Sequence, residues 1–480
     1  MIAWSREHTQ GAVPMKANIH RPRSPRLCRT LLVGMLSTIA LSSTAQTPLA
    51  WNQDASRTPD VTPAPIVVTP PDDRPAPLPA DIQHMPLASG FDVRVFEAMA
   101  QDLVADQRVP GLALAIVHQG RVLSARGYGI TDVDRAEPVD AHTVFRLASL
   151  SKSFAGTLTG LLVSEGALRW DSRVSDYMPS LQFSDPTAAQ QLTVADVLSH
   201  RVGLKRHTYD RDIEANADYH SLVQRLSAAP MTCAPGECYG YQNVAFSLIG
   251  DVVFATSGQF YSEAVTRRIF KPLGMNDASL GLDGITASAR WARPHVRSGA
   301  GWTSLMPKPT YYRLAPAAGV NASISDMAQW LIAQSGRRPD VLPAPLLATL
   351  QSPIVGTPGE IRGSSWRRDR LNAAGYGLGW RIYDYSGHRL VFHGGAVQGY
   401  RGVMAMLPER DLGVVILWNS SSGLPSGLLP TILDRAIGLP SHHWLDVDPR
   451  IEEMFASEDE SETPAAGGGP QASTATAQPD

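Results

Sequence analysis

The amino-acid sequence predicts an α+β protein whose β-sheet is built from both ends of the folded region. Within residues 111–129, two apolar runs flank Gln119-Gly120, a pattern typical of a β-hairpin. Three further strand candidates lie near the other end of the chain, at 388–393, 400–407 and 412–419. Because the intervening sequence is mostly helical in pattern, we expect an antiparallel sheet beside a helical lobe.

The composition is that of an ordinary globular protein and argues against several classes of function. The 480 residues are 43% hydrophobic and 18% charged, with a formal net charge of −3. The basic residues form no long block, so nothing indicates a nucleic-acid partner. The sequence has neither a CxxC pair nor an HExxH motif, so a zinc site has no support. It does not indicate an oligomeric state.

The N-terminus is similar to an export signal. A basic region, 15–29, precedes an apolar stretch, 30–45, which ends in small residues suited to signal peptidase. We therefore expect residues 1–45 to be a signal peptide, with Met15 as an alternative start. The protein would then be periplasmic or secreted, whereas an uncleaved signal would anchor it to a membrane.

Two more segments lie outside the expected folded domain. Residues 46–90 contain a proline-rich stretch, which favours an extended and semi-rigid linker. Residues 446–480 are acidic and then small and polar, so they bury too little apolar surface to fold and are expected to be a disordered tail. The folded domain is then 91–445, a length that favours two lobes.

Cys233 and Cys238 remain as a pair after removal of a signal peptide that contains Cys28. In an oxidising compartment an even pair favours a disulfide, and two buried free thiols are the alternative. A disulfide that closes so short a loop is worth about 2 kcal/mol in the chain-entropy model. We expect the disulfide.

Ser149 and Lys152 are the first candidate catalytic pair. Lys152 is the lysine that follows a serine by three residues, and the apolar run after it predicts a helix ending near Gly166. Residues three apart share a helical face, so the amine would lie beside the hydroxyl. Burial lowers the pKa of a lysine, which can then serve as the base that a serine nucleophile needs. A solvated lysine at an ordinary helix start is the alternative.

Tyr241 and Asn243 form a second candidate motif, where a buried helix is predicted to begin. A tyrosine near a cationic lysine can relay a proton, and the asparagine can hold a substrate amide. A packed aromatic ring and a helix cap are the alternatives.

A third candidate motif is His393-Gly394-Gly395, at the end of a predicted strand. Glycine lets a substrate backbone approach an edge strand closely. The backbone N–H groups of Ala396 and Ser149 are then candidate donors of an oxyanion hole. A glycine-rich turn with a surface histidine is the alternative.

The order Ser-x-x-Lys, Tyr-x-Asn, His-Gly-Gly resembles that of the serine β-lactamase and penicillin-binding protein superfamily, in its class C-like branch. Other stretches similar to that branch are 192–204, 269–275, 316–331 and 376–380. The resemblance covers about residues 92–425. It implies a five-stranded antiparallel sheet flanked by helices, beside a mostly helical lobe.

The resemblance also implies a serine hydrolase that forms a covalent acyl-enzyme on Ser149 and needs no metal and no other cofactor. Lys152 and Tyr241 would move the protons, and Asn243 would contact the acyl group. The expected partner is a small-molecule or short-peptide acyl substrate, namely a small ester, a D-amino-acid peptide or a β-lactam. A penicillin-binding or sensor protein that is acylated but turns over poorly is the alternative.

The third motif departs from the Lys-Thr-Gly found in many members of this superfamily. His393 would take the position of the lysine, with Gly394 and Gly395 completing the substrate-binding strand, and the threonine hydroxyl is missing. A histidine is charged only part of the time near neutral pH. We therefore expect weaker anion binding than in standard β-lactamases, unless Arg401 contributes. Gln242, where serine is common, is a smaller departure.

Overall fold

One large antiparallel β-sheet organises the part of the chain that this computed structural model describes, which is residues 84–105, 107–299, 301–440 and 442–445. The expected signal peptide, most of the linker and the expected tail lie outside these residues. The strands are β1 (Gly111–His118), β2 (Arg121–Asp132), β3 (Arg135–Pro138), β4 (Val144–Arg146), β5 (Ser279–Leu280), β6 (His295–Ser298), β7 (Gly301–Ser304), β8 (Val320–Ser323), β9 (Val355–Gly356), β10 (Leu371–Tyr376), β11 (Arg381–Tyr385), β12 (His388–Val397), β13 (Tyr400–Leu407) and β14 (Leu412–Trp418).

The helices lie mainly between β4 and β9, with one at each end of the domain. They are α1 (Val93–Ala105), α2 (Ser151–Ser164), α3 (Val174–Tyr177), α4 (Ala188–Gln191), α5 (Val194–Leu198), α6 (Asp210–Glu214), α7 (Tyr219–Arg225), α8 (Leu248–Ser257), α9 (Tyr261–Val265), α10 (Lys271–Leu273), α11 (Gly281–Thr286), α12 (Ala315–Ala318), α13 (Ile324–Ile332), α14 (Ala344–Leu350), α15 (Ser365–Arg370) and α16 (Leu428–Ile437). The α+β class and the helical middle predicted from the sequence are therefore confirmed.

The main sheet is larger than expected. Its strand order is β3-β2-β1-β14-β13-β12-β11-β10-β9, which gives nine strands within the described residues instead of five. The expectation of five strands was wrong because β3 and β9 are very short and β10 and β11 extend the sheet beyond β12. Two smaller sheets, β4-β8-β5 and β6-β7, lie within the largely helical middle.

Local sequence signals explain several element boundaries, and the predicted hairpin is confirmed. Gln119 and Gly120 have φ angles of 51° and 72°, as a two-residue β-hairpin turn requires. The Thr193 side chain accepts a hydrogen bond from the Asp196 backbone N–H, so a capping box begins α5. Gly258, with φ 68°, ends α8.

The main sheet is buried on both faces, and one of these faces carries the helical middle. Ala115 of β1 faces a core that also contains Trp330 of α13. Leu114, the neighbouring residue, faces the opposite core with Ile432 of α16. The described residues belong to one compact unit, so the sheet and the helical lobe share a core. Within this part of the chain, no helix is both long and apolar enough to cross a bilayer.

The stacked pair of Phe154 and Trp330 gives a test of this shared core. Their ring centroids lie 4.0 Å apart, and both side chains are fully buried. We expect Phe154→Ala to lower the free energy of unfolding by about 3–5 kcal/mol, because the lost ring leaves a cavity. Urea unfolding followed by circular dichroism measures this loss.

The matched control for this test is Phe260→Ala. Phe260 is 65% exposed, so its loss should change the free energy of unfolding by less than about 1 kcal/mol. Equal losses in the two variants would contradict this account of the core.

Candidate active site

Ser149 lies in a 3-10 turn, Ala148–Leu150, that connects β4 to the start of α2. The preceding Ala148 has a φ of 50°, a left-handed conformation that costs a residue other than glycine about 1–2 kcal/mol. This turn places Ser149 at the wall of a cavity of about 580 Å³. The position at the N-terminal end of α2 also favours a developing negative charge.

Lys152 is fully buried beneath this serine. Its Nζ donates to Ser149 Oγ at 3.3 Å, to Asn243 Oδ1 at 2.7 Å and to the Ala317 carbonyl at 3.1 Å. These three acceptors match the three protons of an ammonium group. Burial lowers the pKa of Lys152, and Tyr241 and Asp210 oppose that shift. The alternative of a solvated lysine is therefore excluded.

Tyr241 packs against this lysine and lines the same cavity. The Lys152 Nζ lies 4.7 Å from the centroid of the Tyr241 ring. The ring of His200, which is fully buried, lies on the tyrosine at a centroid distance of 4.3 Å. Tyr241 is therefore both a packed aromatic ring and a wall of the cavity, beside the amine with which it would exchange protons.

Polar contacts of Gln242 with the segment 200–205 hold the loop that carries Tyr241. The Gln242 backbone N–H donates to His200 Nδ1 at 3.2 Å, and Gln242 Nε2 donates to the Lys205 carbonyl at 2.6 Å. The structure contains the Cys233–Cys238 disulfide a few residues earlier. Gln242 therefore fastens the loop to a neighbouring segment and does not face the cavity.

Asn243 does not use its side chain as a helix cap. Its Oδ1 accepts from Lys152, and its Nδ2 donates to Asp210 Oδ2 at 2.8 Å. The same Asp210 oxygen lies 2.7 Å from His207 Nδ1. The carboxylate thus orients the amide so that the amide oxygen points to the lysine, while Asn243 still lines the cavity.

His393 differs most from its expected environment. Its side chain is fully buried, with Nδ1 2.9 Å from the Gly394 carbonyl and Nε2 3.0 Å from the Tyr376 hydroxyl. A carbonyl only accepts, so Nδ1 carries the proton and Nε2 accepts from the tyrosine. Burial, reinforced by Arg381 and Lys152, holds the pKa of His393 well below its usual range. The ring is therefore neutral and enclosed by the protein. The alternative of a surface histidine is wrong, and His393 does not replace the positive charge of the lysine in Lys-Thr-Gly.

The strand after His393 has a free edge beside Ser149. The last residue of β12 that pairs with β11 is Phe392, and residues 394–397 pair with β13 alone. Ala396 and Val397 line the same cavity as Ser149. That the Ser149 and Ala396 N–H groups together form an oxyanion hole stays a prediction.

Sequence reasoning missed Arg381 and Glu360, which both line the cavity. Arg381 Nη1 lies 2.6 Å from Glu360 Oε1. The signal available for Arg381 was its position in the sequence. It is a charged residue that directly follows the stretch 376–380 and begins a largely buried strand. Nothing local pointed to its carboxylate partner. Arg401, considered above for anion binding, lines a neighbouring cavity of about 370 Å³, which shares Arg381 and Ala396 with the first one.

The α+β fold and the serine beside a buried lysine define a serine hydrolase of the β-lactamase/DD-peptidase fold. The family model described as Beta-lactamase matches residues 96–438, and the chain therefore belongs to the β-lactamase family.

Several known proteins are similar to this chain. The unguisins hydrolase ungD of Aspergillus violaceofuscus is 24% identical over 79% of this chain and 70% of its own length. Penicillin-binding protein 4 of Amycolatopsis lactamdurans is 26% identical over 72% of this chain and 90% of its own length. The octameric penicillin-binding protein homologue from Pyrococcus abyssi aligns with a TM-score of 0.64 and 26% identity, over 72% of this chain and 78% of that chain. The chain spans 60% to 70% of the length of several curated relatives.

The two glycines of the third motif provide a test of the site geometry. A Cβ at position 395 would lie 2.5 Å from the Leu147 carbonyl oxygen and 3.1 Å from the Ser149 nitrogen, whereas at position 394 the nearest atom is 3.5 Å away. We expect Gly395→Ala to displace the serine turn and to slow covalent labelling of Ser149 by a fluorophosphonate about 10²-fold.

Gly394→Ala is the matched control and should change the labelling rate by less than about threefold, because its Cβ makes only ordinary contacts. Intact mass spectrometry at timed intervals measures both rates. A similar slowing in the two variants would show that the close approach at Gly395 does not position the serine.

Proposed function

We propose that the protein is an exported serine hydrolase that cleaves an ester or amide bond through a Ser149 acyl-enzyme. The observation that carries this proposal is the contact of Ser149 Oγ with the amine of Lys152, which is buried and has a lowered pKa. A lysine that loses its proton readily can serve as the base for a serine hydroxyl.

In the acylation step, Ser149 Oγ forms a bond to the substrate carbonyl carbon as its proton passes to Lys152 or Tyr241. The tetrahedral oxyanion would be held by the Ser149 and Ala396 backbone N–H groups, each worth about 2.7–4 kcal/mol in such a site. The proton then goes to the leaving group as its bond to the carbonyl carbon breaks. Water attacks the acyl-enzyme by the reverse sequence and restores the free serine.

The substrate proposed is a small ester or a D-amino-acid peptide in preference to a β-lactam. The neutral His393 ring, with both nitrogens engaged inside the protein, supports this order. It offers no charge to the carboxylate that the lysine of a Lys-Thr-Gly motif would help to bind. The names of the two relatives, a hydrolase and a penicillin-binding protein, agree with acyl chemistry of this kind.

A penicillin-binding or sensor protein that is acylated but deacylates slowly is the second candidate. The similarity to penicillin-binding protein 4 favours it. The two candidates share the acylation step and differ only in whether water reaches the acyl-enzyme.

Substitution of the serine and the lysine tests the proposed chemistry. We expect Ser149→Ala and Lys152→Met to reduce kcat/KM for a p-nitrophenyl ester by about 10³-fold or more, because each removes a member of one catalytic unit. Circular dichroism should show an unchanged fold for the serine variant. Lys271→Met, at an exposed lysine, is the matched control and should keep wild-type activity.

The outcomes separate the two candidates. Rapid turnover by the wild type and none by Ser149→Ala supports the hydrolase. A stable acyl adduct on Ser149 without turnover supports the sensor. Wild-type activity in Ser149→Ala would refute the nucleophile assignment altogether.

The N-terminus provides a separate test of export. Expressed with its own leader in a bacterium that has a periplasm, the protein should be recovered from the periplasm beginning at Gln46, since Ser43 and Ala45 suit signal peptidase. Ala45→Phe should retain the leader. Edman sequencing or intact mass measures the new N-terminus, and a full-length cytoplasmic product from the wild type would contradict the proposal.

A further inference from the structure

The third motif of this chain supplies no positive charge to the active site. Both nitrogens of the His393 ring are engaged inside the protein, by the Gly394 carbonyl and the Tyr376 hydroxyl. A developing negative charge on a tyrosine or a serine nevertheless gains from a nearby cation, because the site has a low dielectric constant.

Arg381 is largely buried in the wall of the cavity that holds Ser149, whereas Arg206 and Arg211, which line the same cavity, are exposed. It is the first residue of β11 and pairs with Phe392, one residue before His393. Its guanidinium lies 5.3 Å from the centroid of the Tyr241 ring, and its side chain is only 12% exposed. The arginine therefore reaches the catalytic tyrosine from the strand next to the third motif.

Glu360 holds this arginine in place. It belongs to a 3-10 turn, Pro358–Arg362, between β9 and β10. Its Oε1 lies 2.6 Å from Arg381, and its Oε2 accepts from Arg367, also at 2.6 Å. One carboxylate thus pairs with two guanidinium groups. The cluster of Arg381, Glu360 and Arg367 therefore keeps a net positive charge.

We propose that Arg381, anchored by Glu360, is the fixed positive charge of this active site and acts on Lys152 and Tyr241 from β11, where relatives with Lys-Thr-Gly use the third motif. Arg381 is a positioning residue, since it acts through the lysine and the tyrosine. This inference rests on the proposed serine chemistry.

The charged and titratable groups around the two residues agree with this role. Lys152 faces Tyr241, Asp210, His200, His393 and Arg381, and Arg381 lowers the pKa of the lysine beyond the effect of burial. Arg381 itself lies close to Glu360, Tyr239 and Tyr383, and its guanidinium lies 5.7 Å from the centroid of the Tyr376 ring. Burial raises the pKa of these three tyrosines, so they are neutral near pH 7 and add no negative charge to that of Glu360.

The test is the pH dependence of Ser149 labelling by a fluorophosphonate, which needs an activated serine but no turnover. The labelling rate should rise with pH as Lys152 loses its proton. Removal of the cation in Arg381→Met raises the pKa of the lysine, so the midpoint should move upward by roughly one pH unit. Arg381→Lys keeps the charge and should keep the midpoint near that of the wild type.

Arg367→Met is the matched control, because Arg367 binds the same carboxylate but does not line the cavity of Ser149. Its midpoint should move by less than about 0.3 pH unit. If Arg381→Met fails to fold, as judged by circular dichroism, the double variant Glu360→Gln/Arg381→Met removes the unpaired carboxylate and takes its place.

An upward shift of the midpoint in Arg381→Met that is absent from both Arg367→Met and Arg381→Lys supports the proposal. An unchanged midpoint in a folded Arg381→Met protein overturns it, even if the rate is lower. Failure of the proposed function looks different, because wild-type Ser149 would then remain unlabelled at every pH.

Discussion

The buried amine of Lys152 is the group on which the rest of the site depends. A polar group buried without hydrogen-bond partners costs free energy, so the protons of this amine must find acceptors. The acceptors come from three distant segments, at Ser149, Asn243 and Ala317. To supply hydrogen-bond acceptors to this one side chain, the serine turn, the tyrosine loop and α12 must lie next to one another. The cavity forms where these three segments come together.

Each of these segments is held by contacts that face away from the substrate. Asp210 orients Asn243, and His200 supports the ring of Tyr241. Close packing of the Ser149 turn against β12 leaves no room for a side chain at Gly395. The proposed catalytic groups are thus held in place before reaction and would need little reorganisation, which is the main electrostatic advantage of an enzyme over water.

The family resemblance and the physical environment give different accounts of the third motif. By resemblance His393 stands where a lysine acts on the substrate, yet the ring is neutral, buried and bonded to Tyr376. A largely buried cation lies on the neighbouring strand, in Arg381 with its partner Glu360. Position in a motif therefore does not by itself assign a role, since a side chain acts through its charge and its exposure.

The sequence by itself determined the features that depend on residues close together in the chain. These are the hairpin at Gln119-Gly120 and the placement of Lys152 beside Ser149. Tertiary structure alone decided the nine-stranded sheet, the direction of the His393 ring and the pairing of Arg381 with Glu360. The physical reason is that periodicity and turn chemistry act over a few residues, whereas burial and charge pairing join segments far apart in the chain, as Lys152 and Asn243 are.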